Sequence, residues 1–284
     1  MNTSAGRTIS RLLFYLVLII ILVYTLFPFY WAVRSSIAPN NELFATPVSY
    51  FPRHPTLTNY RQIFASVQFV RALLNSAIVA IAVTGLSLLI GTVAAYSLGR
   101  FTFRGRSIIL YLVLSMTMFP QIAILGALYT MVNRFHLYNR LGSLVLTYLL
   151  FTLPFTVWVL TSFFRQLPRE LEEAAYVDGA TPFQTFYRVL LPLAAPGLVT
   201  TGLLAFIQAW NEFVYALSFT QTPEHRTVPL AIFYFAPQTS GSSFEVPWGQ
   251  IMAATVVVTV PLVVLVLIFQ RRIIAGLTAG AVKG

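Results

Sequence analysis

Two groupings of side chains have types and spacings suited to chemistry. Glu170, Glu172, Glu173 and Asp178 are half of the eight acidic residues in the chain and crowd into one short stretch. Clustered carboxylates of this kind are what acid–base catalysis uses. Gln208, Asn211, Glu212 and Tyr215 are spaced i, i+3, i+4 and i+7, which aligns them along one face of a helix. That polar stripe lies in an otherwise apolar run, and two readings stay open. It lines a polar pathway, or it supplies hydrogen bonds between helices. Asn75 and Gln121 admit the same two readings. Other chemistries lack their residues. Cysteine is absent, so disulfides, thiolate nucleophiles and cysteine metal sites are excluded. His54, His136 and His225 lie far apart, which leaves no metal set. The only lysine is Lys283, so the phosphate-binding GxxxxGK[ST] loop is missing.

The elements that must position these groups are membrane helices. Of the 284 residues, 57% are hydrophobic and 9% charged, against about 25% charged in a soluble domain. One aqueous core cannot hide that apolar surface. The net charge of +10 is carried by arginines that punctuate apolar runs and form no stripe, so nucleic acid is not the expected partner. A crossing helix needs about 20 apolar residues. The expected architecture is all-α, integral membrane, a single domain over 1–284 with six spans near 11–33, 72–98, 107–131, 142–164, 193–219 and 248–271. The first apolar run, Leu12 to Tyr30, is too long for a typical signal-peptide core and lacks a cleavage signature, so it is expected to stay as a span.

Arginine density orients the bundle. With both termini cytoplasmic, the inside holds Arg7, Arg11, Arg100, Arg104, Arg106, Arg165, Arg169, Arg188, Arg271, Arg272 and Lys283. This agrees with the positive-inside bias, and the compact Gly99–Arg106 turn is its clearest element. The acidic stretch is then cytoplasmic. The two long outside segments are the proline-rich Arg34–Val70, with a short surface helix over 58–64, and Thr220–Pro247. The tip of the latter, Gln238, Thr239, Ser240, Gly241, Ser242 and Ser243, is polar and small.

Pro168 can open a helix, and Glu170, Glu172 and Glu173 occupy the first turns, where the helix dipole favours anions. Gly179 ends it. Thr181, Pro182 and Gln184 then form a capping box with proline at the first helical position. Phe183, Phe186, Tyr187 and Leu190 follow with the spacing of one apolar face. The segment reads as two short helices joined by a glycine turn. Lipid-binding surface helices are usually basic. An acidic one is better suited to docking a protein.

The run Glu173-Ala174-Ala175, three residues, Gly179, nine residues, Val189-Leu190-Leu191-Pro192 resembles the EAA loop of ABC importer permeases, EAA-x3-G-x9-I-x-LP. Val189 for isoleucine is the one departure. The resemblance implies the type I ABC importer transmembrane fold in the prokaryotic inner membrane. It makes 168–191 the coupling element, seated on a separate ATPase subunit through Glu172, Glu173, Ala174, Ala175, Asp178, Gly179, Ala180, Thr181 and Phe183.

Further along the chain, Thr56–Tyr60, Ala94–Ser97, Trp210–Phe213 and the ending Gly276–Gly284 are similar to the carbohydrate permeases of maltose and trehalose type. That branch implies import of a sugar, an α-glucoside such as trehalose or maltose, by alternating access. Its implied partners are a homologous second permease, two ATPase subunits and an extracytoplasmic sugar-binding protein. ATP and magnesium would reside in the ATPase subunits, with no cofactor or enzyme activity in this chain. By the same resemblance, Gly280, Val282 and Lys283 reach toward the ATPases and the 238–243 tip probes the binding protein. The alternative is a secondary transporter or channel acting without ATPases, which needs ion-coupling groups. Glu212 is the one acid expected within a span.

Overall fold

The computed structural model describes residues 4–235 and 246–279, with side chains for 10–235 and 246–271. Among the described residues all regular structure is helical. The helices are α1 (Ser4–Ser36), α2 (Asn40–Leu43), α3 (Thr58–Ala65), α4 (Val67–Arg100), α5 (Arg106–Thr117), α6 (Leu125–Arg134), α7 (Leu141–Gln166), α8 (Glu170–Val177), α9 (Pro182–Thr185), α10 (Leu191–Leu193), α11 (Ala195–Asn211), α12 (Val214–Phe219), α13 (Val228–Phe233) and α14 (Trp248–Ala279). Four stretches are long and apolar enough to cross a membrane unbroken: Ser10–Ser36, Val67–Arg100, Leu141–Gln166 and Trp248–Arg271. Two bent pairs pass the same test, Arg106–Thr117 with Gln121–Arg134 at 98° and Pro182–Leu193 with Ala195–Asn211 at 73°. Counting each pair once gives six spans.

The bends fall where the backbone ladder is interrupted. Pro120 is extended and cannot donate an N–H, and a 3-10 turn over Gln121–Ile124 follows it. Pro28, Pro154 and Pro261 stay inside continuous helices. The fifth span differs from expectation. Its helix ends at Asn211, Glu212 is extended, and α12 starts afresh at Val214. The stripe from Gln208 to Tyr215 therefore does not lie on one helix.

Backbone contacts divide the chain into two units, Met1–Val67 with Ile232–Thr259 and Gln68–Ala231 with Val260–Gly284. In the first unit, the most apolar stretch of α1 is exposed along its length among the described residues. Its last turn is fastened instead. The Asn59 amide donates to Ser36 O at 2.9 Å and Ala38 O at 3.1 Å, and Ser36 Oγ pairs with Tyr60 Oη at 2.7 Å. Gln250 Nε2 donates to Gln62 Oε1 at 3.0 Å. The expected surface helix over 58–64 is thus α3, and its asparagine is a buried clasp.

In the second unit the core seam is α4 on α7. Gly91, Ala95 and Gly99 recur every four residues, the small-residue spacing by which membrane helices approach closely. A Cβ at Gly91 would stand 2.6 Å from Thr156 Cγ2, and one at Gly99 would stand 2.9 Å from Phe164 Cβ. The same seam carries a buried Ser87–Thr152 hydroxyl pair at 2.8 Å.

The segment after α12, expected as part of an outside loop, packs on α4. Asn75 Nδ2 donates to Glu224 O and Arg226 O at 2.8 and 2.9 Å, and Val228 N donates to Ser76 Oγ at 2.8 Å. Asn75 therefore ties α4 to the segment before α13. Its amide is consumed by carbonyls that no regular helix satisfies.

Candidate functional site

The acidic stretch folds as two short helices around a glycine. Gly179 has φ +82°, a left-handed value that L side chains avoid. Ala180 N donates to Ala175 O at 2.9 Å and Gly179 N to Tyr176 O at 3.0 Å. This pair of bonds closes a helix on a left-handed residue. Thr181 and Gln184 form the reciprocal capping box of α9, with Gln184 N to Thr181 Oγ1 at 3.3 Å and Thr181 N to Gln184 Oε1 at 2.8 Å.

The aromatic face departs from expectation. Residues Phe186–Leu190 wind as a π-turn, wider than an α-turn, so the four apolar residues split. Phe186 and Leu190 point inward and join Ala95, Tyr96, Leu160, Phe164 and Ala194 in one core cluster. The Phe186 ring lies 4.7 Å from that of Tyr96. Phe183 and Tyr187 point outward, 71% and 39% exposed, with their rings 5.4 Å apart. Val177, at the end of α8, is 88% exposed. An apolar patch therefore surrounds the turn on its solvent side.

The carboxylates also separate. Glu173, Ala174, Asp178 and Thr181 are exposed, Ala180 is half-buried, and Ala175 is buried against the chain itself. Glu172 Oε1 accepts from Arg100 Nε at 2.9 Å, with both side chains largely buried. Arg100 also donates from Nη1 to Phe164 O and Leu167 O at 3.1 and 2.7 Å and from Nη2 to Pro168 O at 3.2 Å. Sequence reasoning used Arg100 only to orient the bundle. Its position at the last residue of α4 is the signal that it caps something.

The second candidate region is the break in the fifth span. A cavity of about 510 Å³ is lined by Thr117, Gln121, Phe151, Phe155, Gln208, Asn211, Glu212, Phe213 and Val214. Gln208 and Asn211 are exposed to it, whereas Tyr215 is buried. Glu212 caps α12: its Oε1 accepts from Tyr215 N at 2.7 Å and its Oε2 from Ala216 N at 3.1 Å. Tyr215 Oη donates to Gln121 O at 3.2 Å. Trp210 is buried and stacks on Phe206. The four residues of the stripe thus divide into two amides facing the cavity and two side chains that hold the broken backbone together. Phe151, Phe155 and Thr117 come from α5 and α7 and carry no local signal in the sequence. The 238–243 tip and residues Gly280, Val282 and Lys283 lie outside the described residues.

Six apolar spans, two of them bent, with a polar cavity at a break in one and a capped helical turn bearing an apolar patch, define a multi-pass component of a membrane transport system. The sequence matches the model of the binding-protein-dependent transport system inner membrane component family over residues 87–278, and the chain belongs to that family.

It is 40% identical over 280 residues to the trehalose/maltose transport system permease protein of Thermococcus litoralis, covering 98% of this chain and 99% of that one. It is 42% identical over 261 residues to the trehalose transport system permease protein of Mycobacterium tuberculosis, covering 92% and 93%. It is 41% identical over 265 residues to the sulfoquinovosyl glycerol transport system permease protein of Agrobacterium fabrum, covering 93% and 91%. A chain in the crystal structure of a bacterial ABC transporter involved in the import of the acidic polysaccharide alginate shares the fold, with a TM-score of 0.82 at 18% identity over 95% of this chain and 98% of that one. The chain is a permease subunit and a transporter component of the inner membrane.

Proposed function

We propose that this permease takes up an oligosaccharide, an α-glucoside such as trehalose or maltose, delivered by an extracytoplasmic binding protein. It works beside a homologous second permease and two ATPase subunits. ATP and magnesium belong to those ATPases on this reading. The carrying observation is the turn at Gly179, closed by its own hydrogen bonds and capping box and surrounded by the outward-facing Phe183, Tyr187 and Val177. A rigid polar turn with an apolar patch is built to seat in a partner's groove. Glu173, Ala174, Asp178, Ala180 and Thr181 form its outer surface, and Glu172 and Ala175 its inner one. Rocking of the spans then opens the pathway to alternate sides.

Gln208 and Asn211, with Gln121 and the rings of Phe151 and Phe155, offer amides and apolar faces to a passing sugar. Glu212 and Tyr215 act there as framework. Residues 238–243, and Gly280, Val282 and Lys283, keep the roles that the resemblance assigns them, toward the binding protein and the ATPases. A secondary transporter would need a free ion-coupling group, and the carboxylate of Glu212 is occupied by two backbone N–H groups. The test is trehalose uptake into proteoliposomes. ATP-dependent uptake by the complex, lost in Gly179→Asp, is expected. Equal uptake by this chain without ATPase subunits would overturn the proposal.

A further inference from the structure

Arg100 holds together three segments distant in sequence. It is the last residue of α4. Its Nη1 reaches the carbonyls of Phe164 and Leu167 at the end of α7 and its Nη2 that of Pro168. Its Nε reaches Glu172 in the first turn of α8, and the arginine side chain is 5% exposed. The last carbonyls of a helix have no partner within it, and a cation there satisfies them and opposes the helix dipole. A guanidinium, planar and with five donors, can serve a carboxylate and several carbonyls at once, which an ammonium cannot.

Directly beneath, Tyr96 of α4 and Phe164 of α7 pack with Phe186 and Leu190, on the far side of the turn. The coupling element is thus joined to α4 and α7 by one ionic clasp and one aromatic cluster. The covalent route from the turn to α11, by contrast, runs through a π-turn and a 73° bend.

We infer that Arg100 is the positioning residue through which displacement of α8 reaches α4, so that α8 and the adjoining ends of α4 and α7 move as one piece. This rests on the reading of 168–191 as the ATPase-coupling element. Breaking the clasp uncouples hydrolysis from transport without detaching the ATPases, because the Arg100 side chain is buried and the patch of Phe183, Tyr187 and Val177 is exposed.

Two measurements on the reconstituted complex test it. In the first, Arg100→Gln lowers trehalose uptake per ATP hydrolysed by on the order of tenfold, while the ATPase subunits co-purify in wild-type amount. Arg100→Lys, which keeps the charge and loses the fork, falls between. Glu172→Gln, which leaves the three carbonyl bonds, has the smallest effect. An unchanged ratio in Arg100→Gln, or a loss that follows the amount of assembled complex, overturns the inference.

The second measurement needs no sugar. Spin labels at Val93→Cys on α4 and Glu170→Cys on α8 keep one separation with and without ATP and vanadate when Arg100 is present. The separation changes on trapping in Arg100→Gln. A separation that changes in the native background, or stays fixed in the variant, overturns the inference. Failure of Gly179→Asp to disturb the ATPases, by contrast, would fault the coupling reading itself.

Discussion

Glu170, Glu172 and Glu173 crowd the first turn of α8, and Glu212 stands just before the first turn of α12. Both helix starts present N–H groups without intrahelical partners, and in both a carboxylate is near them. The surroundings differ. Glu170 and Glu173 are exposed to solvent, so water can serve the same donors. The Glu212 side chain is buried, and Tyr215 N and Ala216 N take their acceptors from its two oxygens. An identical interaction is therefore optional in one region and obligatory in the other. Glu212 is taken up by the backbone it completes and Glu172 by its pairing with Arg100, whereas Glu170 and Glu173 face solvent.

Removing Glu212 should have the largest effect. Glu212→Ala leaves Tyr215 N and Ala216 N unsatisfied and should cost about 3 kcal/mol, read as a lower unfolding midpoint in detergent. Glu212→Gln retains acceptor capacity and should lose less than half of that. If the two variants lose equally, the charge matters and not the cap. At the other region, Gly179→Ala should cost about 1 kcal/mol through its positive φ, and Gly179→Asn less, both measured as weakened ATPase association. Thr181→Ala, which removes the capping box, should cost about 1 kcal/mol and speed hydrogen exchange in residues 182–186. Glu170→Gln should change stability by only about 0.3 kcal/mol. A loss matching that of Glu212→Ala would erase the contrast.

Glu42 provides a third, smaller case. Desolvation pushes its carboxyl up, but hydrogen bonds from the His54 ring and from Arg53 N and His54 N outweigh it, and the group titrates below its ordinary 4.5. A depressed carboxylate stabilises fully above its unfolded value, and that contribution is lost as pH falls through the folded one. Protection of the amides of Arg53 and His54 should therefore persist at pH 5 and decline below about 4.5. Glu42→Gln should remove that pH dependence.

The pattern of legibility follows the range of each interaction. Span positions come from hydropathy alone, and the turn at Gly179 from signals confined to a few neighbours: glycine, a Thr-x-x-Gln pair and a proline. The break at Glu212 has no such marker. Its helical spacing of polar residues reads the same whether or not the backbone ladder continues, and no glycine or proline stands at the interruption. The π-turn over Phe186–Leu190 likewise leaves the apolar spacing intact while redirecting half of it. Arg100 was invisible as a clasp because its carboxylate lies 72 positions away. The segment over 220–231 looked like free loop because the partners of its carbonyls at Glu224 and Arg226 and of its amide at Val228 are Asn75 and Ser76, about 150 residues earlier.

The clasp at Asn59 has a consequence for the order in which the molecule is made. A Cβ at position 249 would stand 2.6 Å from Asn59 Nδ2, so α14 reaches this asparagine only because Gly249 is bare. Gln62 and Gln250, which meet beside it, are 188 positions apart. At bacterial-type synthesis rates of about 5–20 residues per second, that interval lasts roughly 10–40 s. Throughout it, α1 and α3 are in place while their partner has yet to leave the ribosome. The unit that begins first therefore stays incomplete until the start of α14 has been made.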